Sequence, residues 1–320
     1  MAVDPPLSNN DPRRDEMLAA WRAAGLFVRE EHDHWVVVDG PGRQSRRRVL
    51  AAVAEAPSPW PWGWCVRQVV TTTMAVARRE LDRRAGPVAV LADRQTKGRG
   101  RRGRRWESSA GAGLHLSLAW HPGPELVASG ALTLRVGVAA ARAVERVTGV
   151  RLGLKWPNDG LHQGQKVMGV LCEGGTYPTP WVVAGIGMNI NGLPPAGVTG
   201  ATTLAAITGR PWSRAALAAA IAAETAAVLE SGDACWFEEY QERSRGVTLG
   251  RRVRVMGAGT LEYEGQAESV EATGALWVRR DDGTLARVTA GEVSIRAIGG
   301  GSSNLSGLPH RPRPSQLPCS

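Results

Sequence analysis

The residues with the clearest chemical potential form a basic, glycine-rich segment over residues 95–106, with the sequence QTKGRGRRGRRW. Glycine lets a backbone adopt positive φ angles and approach a ligand closely. Guanidinium groups form paired hydrogen bonds with phosphate or carboxylate oxygens. The segment therefore predicts a loop that closes over an anionic, nucleotide-derived ligand. Its cationic side chains are Lys97, Arg99, Arg101, Arg102, Arg104 and Arg105.

Two other interpretations of this basic segment stay open. Arg/Gly runs also occur in disordered nucleic-acid-binding tails, and a run of charge is often a solvated surface. A small-ligand site is favoured because the run lies inside a globular pattern and because Trp106 offers a flat face to a purine. The segment is not a P-loop, since no Gly-Lys-Ser/Thr sequence ends it.

Two further segments place polar residues at the ends of apolar strands. The sequence KWPND at residues 155–159 brings a lysine, an amide and a carboxylate together. Mg²⁺ prefers one or two carboxylates together with phosphate oxygens, which makes Asp159 a candidate metal ligand. Pro-Asn-Asp-Gly is also ordinary β-turn chemistry. Lys166 opens the second apolar strand, so its ammonium is expected at a cavity mouth, although a surface lysine at a strand edge is the commoner case.

Length and composition set the background for these segments. The chain has 320 residues, 43% of them hydrophobic, and a net charge of +9, which predicts roughly two domains and an attraction for anions. The four cysteines are far apart, so neither a zinc site nor a disulfide framework is expected, and a reducing cytoplasm fits best.

The N terminus lacks a signal-peptide core. The longest apolar run, 215–223, is too short for a bilayer. We therefore expect a soluble protein with no membrane contact.

An N-terminal part of irregular sequence pattern precedes the elements that must position these residues. Residues 1–16 are polar and expected to be disordered. Residues 17–56 predict a helix ending near Gly25, a hairpin around 32–34 and a helix over 46–54, which resembles only the latter part of a winged helix. Residues 57–64 are expected to be a linker, whose three tryptophans pack against neighbouring domains.

The pattern over residues 65–246 is that of an α/β domain. Apolar runs and period-2 alternation predict strands over 65–71, 88–92, 114–120, 150–154, 166–173 and 181–191. Helices are predicted over 74–84, 131–148, 203–207, 215–230 and 233–245, with Thr72 or Thr73 near the first N-cap and Gly149 after the second helix. Alternation in the strand over 114–120 puts His115 on a polar, exposed face, so we predict no catalytic role for it.

The end of the chain changes character twice. Over residues 247–298, five short apolar runs alternate with glycine turns, which predicts a small antiparallel barrel. Residues 299–320 are rich in Gly, Ser and Pro and are expected to form a disordered tail.

Four segments, taken in order, resemble the biotin protein ligases. They are residues 98–106, residues 155–159, Lys166-x-x-Gly169 and residues 185–189. The resemblance covers roughly residues 65–298. It implies an α/β (α+β) fold, with a mixed-sheet catalytic domain like that of class II synthetases followed by a small SH3-like barrel. It also implies a ligase that joins biotin to ATP as biotinyl-5′-AMP and then passes biotin to one lysine of a biotin carboxyl carrier domain, that of acetyl-CoA carboxylase or a related carboxylase.

The same resemblance implies roles for single residues. Lys166 would bridge the biotin carboxylate and the α-phosphate, with Arg99, Arg101 and Lys155 as further catalytic cations. Gln95 would bind the biotin ureido ring, and Asp159 would help to hold Mg²⁺. The residues expected to bind biotin or the adenylate are Thr72, Thr73, Met74, Gln95, Gly98, Arg99, Gly100, Arg101, Arg104, Trp106, Asn158, Lys166, Gly169, Gly185, Gly187 and Asn189.

The chain departs from the family pattern at three places, one of which is Gly160, where the family usually has an apolar residue and the glycine is expected to be tolerated. Met74 stands where the family usually has asparagine, so any contact that needs the amide is in doubt. The winged helix is truncated, so we expect no operator DNA binding. Some members dimerise through sheet edges, and a homodimer is possible here.

Three other functions compete with this one. They are a lipoate ligase or octanoyl transferase of the same fold, a basic nucleic-acid-binding protein, and an inactive regulatory relative.

Overall fold

The computed structural model describes residues 27–31, 34–38, 42–106, 112–192, 200–231, 233–257, 260–289 and 293–297. The expectations for residues 1–16, for the helix ending near Gly25 and for residues 299–320 fall outside this part of the chain. In the front segment, strands β1 (Phe27–Glu31) and β2 (His34–Val38) pair as an antiparallel hairpin. Helix α1 (Gly42–Glu55) follows. The hairpin and helix predicted here are confirmed, with a longer helix.

A seven-stranded mixed sheet forms the centre of the molecule, in the order β3-β4-β5-β9-β8-β7-β6. Among the described strands of this sheet, only β3 and β4 are parallel neighbours. The short strand β6 corrects the prediction of a strand over 150–154, and β3 takes in the last two residues of the predicted linker. The strands are β3 (Gly63–Val70), β4 (Val88–Gln95), β5 (Gly113–Trp120), β6 (Gly153–Lys155), β7 (Asp159–His162), β8 (Gln165–Gly175) and β9 (Trp181–Asn189).

Two helices of this region have end residues that the sequence indicated, although the first ends at Leu81 rather than at residue 84 and the short helix from Pro124 was not predicted. Thr72 caps the first one by accepting a hydrogen bond from the backbone of Ala75. Gly149, with φ 75°, ends the long helix that the sequence predicted from residue 131. The helices are α2 (Thr73–Leu81), α3 (Pro124–Ala128), α4 (Ala131–Thr148), α5 (Leu204–Thr208), α6 (Arg214–Glu230) and α7 (Asp233–Ser244).

The two faces of the sheet are covered by different elements. On one face, Leu114, Leu116, Leu118 and Trp120 of β5 join the apolar residues of α4 and α6 in the main core. Trp60 and Trp62 pack on Trp120 at ring-centroid distances of 5.9 and 6.5 Å. The predicted packing role of these tryptophans is thus met within the main core. On the other face, α2 covers a smaller apolar cluster. The site lies beside that helix.

The prediction that His115 is exposed was wrong, since only 1% of its surface is accessible. Every position of β5 is buried, because β4 and β9 flank it and because helices lie over both of its faces. On the α2 side, Ser117 Oγ donates a hydrogen bond to Thr73 Oγ1 at 2.7 Å. Alternation along β5 therefore separates an apolar buried face from a polar buried face, and not a buried face from an exposed one.

The short antiparallel strands that the sequence predicted for the C-terminal region are present, and they form a five-stranded sheet in the order β13-β12-β11-β10-β14. Trp156, 1% exposed, connects it to the central sheet. Its indole N–H donates to the carbonyl of Gly274 at 3.0 Å, and its backbone N–H donates to Thr248 Oγ1 at 2.9 Å. The strands are β10 (Arg252–Gly257), β11 (Thr260–Val270), β12 (Leu276–Arg280), β13 (Leu285–Val288) and β14 (Val293–Ala297).

Across the described ranges, no helix combines the length and apolar character needed to cross a membrane.

Candidate active site

The candidate site is a cleft whose floor consists of glycines. Gly169 of β8 pairs with Gly187 of β9, which pairs in turn with His115 of β5. Gly185, two residues earlier in β9, pairs with Ser117. Because paired residues of neighbouring strands share a face, these positions form adjacent rows under α2 and the basic segment. Glycines at such places let a ligand or another side chain approach the backbone closely.

Two side chains lie directly on this floor in the present structure. A Cβ added to Gly187 would lie 2.5 Å from Cε2 of Trp106, and one added to Gly169 would lie 3.1 Å from Cζ3 of the same indole. A Cβ added to Gly185 would lie 2.8 Å from Sδ of Met74. Met74, the departure from the family pattern, is thus part of the cleft wall and contributes a thioether rather than an amide.

Most of the residues predicted from sequence meet in this single cleft. Five residues that were not among the predicted site residues also line it: Arg105, Leu116, Val170, Leu171 and Ile186. The predicted residues that line it are Thr72, Thr73, Met74, Gln95, Arg99, Gly100, Arg101, Arg104, Trp106, Asn158, Asp159, Lys166, Gly169, Gly185 and Gly187.

Three predicted residues lie behind the lining. The carbonyl of Gly98 accepts a hydrogen bond from the backbone N–H of Trp106 at 3.1 Å. Asn189 donates from Nδ2 to the carbonyl of Lys166 at 3.4 Å. Lys155 ends β6, opposite Asp159 of β7. Each of these residues supports a lining residue, and their contact with a ligand stays a prediction.

The basic segment folds as a short hairpin. Arg99 and Arg105 form an antiparallel bridge, and the N–H of Gly100 donates to the carbonyl of Arg104 at 2.7 Å. The turn uses positive φ angles of 56° at Arg102 and 71° at Gly103, a conformation that favours glycine. This turn reverses the chain so that Trp106 returns to the glycine floor.

Positive charge converges on the cleft from the hairpin and from β8. Lys166 Nζ forms an ion pair with Asp159 Oδ1 at 2.5 Å, and Arg99 Nη2 forms one with Glu173 Oε2 at 2.9 Å. Arg101 Nη1 donates to Asn158 Oδ1 at 3.5 Å. Burial, and then the charge of Arg102, lower the pKa of Arg101. A partly buried guanidinium attracts an anion more strongly than one in bulk water.

A polar network at the start of α2 fixes Gln95. Oε1 of Gln95 accepts from the backbone N–H of Thr73 at 2.8 Å and lies 3.1 Å from Thr73 Oγ1. Nε2 of Gln95 lies 3.4 Å from Nδ1 of His115. Burial, and then the charge of Arg214, lower the pKa of His115 to about 4. Ser117 and His115 were missed from the sequence. The sequence did contain an indication of their burial. They are two polar residues on one face of a strand that has no charged side chain.

The residues of the cleft fit a metal ion only together with a phosphate ligand. No group of three or more His, Cys, Asp and Glu side chains that could hold a metal occurs within the residues that the structure describes. Among the lining residues that the structure describes, only Asp159 offers a carboxylate. Mg²⁺ held mainly by phosphate oxygens and by one carboxylate fits this donor set.

Comparisons with known proteins bear on the whole arrangement. The family model "Biotin/lipoate A/B protein ligase family" matches residues 65–190, and "Biotin protein ligase C terminal domain" matches residues 248–296. The two matches cover the central sheet with its cleft and the C-terminal sheet.

Two relatives and one solved structure are similar to this chain. The biotin--[acetyl-CoA-carboxylase] ligase of Mycobacterium tuberculosis is 33% identical over 211 residues, or 64% of this chain and 78% of that protein. The bifunctional ligase/repressor BirA of Bacillus subtilis is 40% identical over 107 residues, or 33% of each chain, so the match spans about a third of that relative's length. The biotin protein ligase of Aquifex aeolicus in complex with biotin and ATP has a TM-score of 0.63 at 28% identity, covering 74% of this chain and 99% of that one. The resemblance inferred from four short motifs is confirmed, and the chain belongs to the biotin protein ligase family.

Proposed function

We propose that this protein is an ATP-dependent ligase that activates biotin as biotinyl-5′-AMP and transfers the biotinyl group to a lysine of a biotin carboxyl carrier domain. The observation that carries the proposal is the meeting of the Arg-Gly hairpin and Lys166 over one glycine floor. A cleft with clustered cations, an amide at one end and a backbone floor suits a ligand with a carboxylate, a polar ring and an apolar middle.

The first step brings two anions together. A carboxylate oxygen of biotin attacks the α-phosphorus of ATP, and pyrophosphate leaves as the new P–O bond forms. Lys166, with Arg99 and Arg101 of the hairpin, reduces the repulsion and stabilises charge on the phosphate oxygens. The ion pair with Asp159 holds Lys166 Nζ at the cleft, 5.4 Å from the centre of the Trp106 ring.

Magnesium belongs to this proposal as well. Asp159, together with ATP phosphate oxygens, would hold Mg²⁺, and the bound ion would supply positive charge that offsets the phosphate charge. Because Asp159 is paired with Lys166 in the present structure, the lysine would transfer to the substrate anions when the ligands bind. Arg104, Trp106, Asn158 and Asn189 would serve the adenylate, with Lys155 supporting the nucleotide.

The second step transfers the acyl group. The ε-amino group of the carrier lysine attacks the carbonyl carbon of the mixed anhydride, AMP leaves, and an amide forms. The basic hairpin, ordered over the adenylate, would keep water from hydrolysing it first. The carrier would be acetyl-CoA carboxylase or a related carboxylase in the cytoplasm. Operator DNA binding is not expected.

The proposal is tested with purified protein, biotin, ATP, Mg²⁺ and a carrier domain. Streptavidin should detect the carrier only when all components are present, and pyrophosphate release should depend on biotin but not on lipoate. Release with lipoate alone would instead indicate the lipoate ligase alternative. Salt-sensitive binding of nucleic acid without any ATP-dependent labelling would support the nucleic-acid-binding alternative.

A further inference from the structure

One buried titratable side chain on the cleft face takes no part in the two steps above. His115 lies in β5, 1% exposed, beside the glycine row. A polar ring this deep in a sheet costs free energy unless hydrogen bonds satisfy it. The His115 ring is therefore expected to hold a defined partner in a defined protonation state.

The orientation of the neighbouring amide can be read from its contacts. The backbone N–H of Thr73 donates to Oε1 of Gln95 at 2.8 Å. A backbone N–H can only donate, so this end of the amide is the oxygen. Nε2 is then the end that faces Nδ1 of His115 at 3.4 Å. Since Nε2 is a donor, Nδ1 must accept, which requires the neutral ring with its proton on Nε2 of the histidine.

The surroundings of His115 favour that neutral ring. Burial comes first and the positive charge of Arg214 second among the causes that lower the pKa of His115 to about 4. Arg214 is fixed in turn by an ion pair with Asp93 at 2.8 Å, and its side chain is only 3% exposed. A charged group that is buried and paired in this way cannot move away to let His115 take up a proton near neutral pH.

We propose that His115 is a positioning residue that holds the Gln95 amide for the ligand. Thr73 clamps the oxygen end and His115 clamps the nitrogen end, so the amide meets the polar ring of biotin without first losing rotational freedom. The inference rests on the proposed function, because it assigns to Gln95 the ureido ring of biotin.

Substitutions separate positioning from packing. His115→Phe keeps a ring but removes the acceptor, whereas His115→Asn keeps an acceptor near the position of Nδ1. We expect His115→Phe to raise the KM for biotin about tenfold in biotin-dependent pyrophosphate release, with kcat changed less than twofold, since one hydrogen bond to the recognition group is lost. His115→Asn should restore much of the affinity. His121→Phe, at an exposed residue just after the same strand, is the matched control and should behave like wild type.

Each outcome of the substitution series is decisive. An unchanged KM in His115→Phe, or equal rises in His115→Phe and His115→Asn, would overturn the positioning role while leaving the ligase activity of the wild type intact. No pyrophosphate release from wild-type protein would instead count against the proposed function itself.

A second measurement uses the unaltered protein, in case the variants do not fold. In ¹⁵N-histidine-labelled protein at pH 7, the nitrogen chemical shifts of His115 should be those of the neutral tautomer protonated at Nε2. A proton on Nδ1 would place two donors face to face with Gln95 and would contradict the proposal.

Discussion

The two faces of the central sheet are built from the same strands and serve opposite purposes. On the face under α4 and α6, β5 contributes Leu114, Leu116, Leu118 and Trp120 to the main core. On the other face, the same strand contributes His115 and Ser117, and β9 places glycines beside them. Large side chains fill the first face and small ones leave space on the second. One strand thus faces a packed core on one side and the candidate binding cleft on the other, and changes on the two sides should have separable effects.

The largest expected effect is a loss of stability caused by a substitution on the face under α4 and α6 alone. Leu118 is completely buried, so Leu118→Ala should lower the free energy of unfolding by about 2–5 kcal/mol through lost transfer energy and a residual cavity. The KM and kcat of the remaining folded protein should stay near the wild-type values. Leu285→Ala, where the leucine is 48% exposed, is the control and should cost far less. Urea unfolding measures the stability of the two variants, and steady-state kinetics measure their KM and kcat. A large change of KM in Leu118→Ala would show that the two faces are coupled.

The next effect is a pH dependence of stability. It is expected because the cleft face buries His115 as deeply as the other face buries its leucines. The pKa of His115 is about 4 in the folded protein against a reference value of 6.5, so the unfolded chain binds a proton more readily between these values. Stability should therefore be complete above pH 6.5 and fall by up to about 3 kcal/mol as the pH drops towards 4. Subtracting the pH profile of His115→Asn from that of wild type, measured by urea unfolding, isolates this contribution. Parallel profiles would contradict it.

A third change tests catalysis on the cleft face without touching either core. Lys166→Ala removes the cation nearest Asp159 and should lower kcat for adenylate formation by about 10²-fold, as loss of one preorganised charge-stabilising group does. The lysine side chain is 34% exposed, so the melting temperature should change little. Arg83→Ala, at an exposed cation beyond the end of α2, is the control. Wild-type rates in Lys166→Ala would remove this residue from the mechanism.

The smallest expected effect is a change in ligand affinity caused by a substitution in the glycine floor. A methyl group on Gly187 would lie 2.5 Å from the indole of Trp106, so Gly187→Ala forces Trp106 away and narrows the cleft. We expect a rise of about tenfold in the KM for biotin, because crowding a packed site typically costs 1–3 kcal/mol. Gly86→Ala, where an added Cβ meets nothing within 4 Å, should leave the kinetics unchanged. Normal ligand affinity in Gly187→Ala would mean that the ligand does not lie on this floor.

Much of this architecture could be predicted because it depends on local patterns. Period-2 alternation located β5, and Gly149 marked the end of α4. The mixture of glycine and arginine over residues 95–106 predicted a loop that closes over an anionic ligand, and the structure has a short hairpin there. These features follow from the backbone preferences of residues near one another in sequence.

The rest depends on contacts that no local pattern encodes. Alternation revealed that the two faces of β5 differ in polarity, but not that α2 covers the polar one and buries His115. Arg99 pairs with Glu173, 74 residues away, and the Met74 thioether lies on Gly185 through the approach of a helix to a distant strand. Each depends on how the elements pack, which the sequence leaves open.

The central claim is that the hairpin cations and Lys166 allow two like-charged substrates to form an acyl-adenylate. It is tested most directly by incubating the purified protein with biotin, ATP and Mg²⁺ in the absence of any carrier and identifying the bound product by mass spectrometry. Biotinyl-5′-AMP should be retained on the wild-type protein, with one pyrophosphate released for each molecule formed. Bound biotin and ATP that stay unchanged throughout the incubation would contradict it.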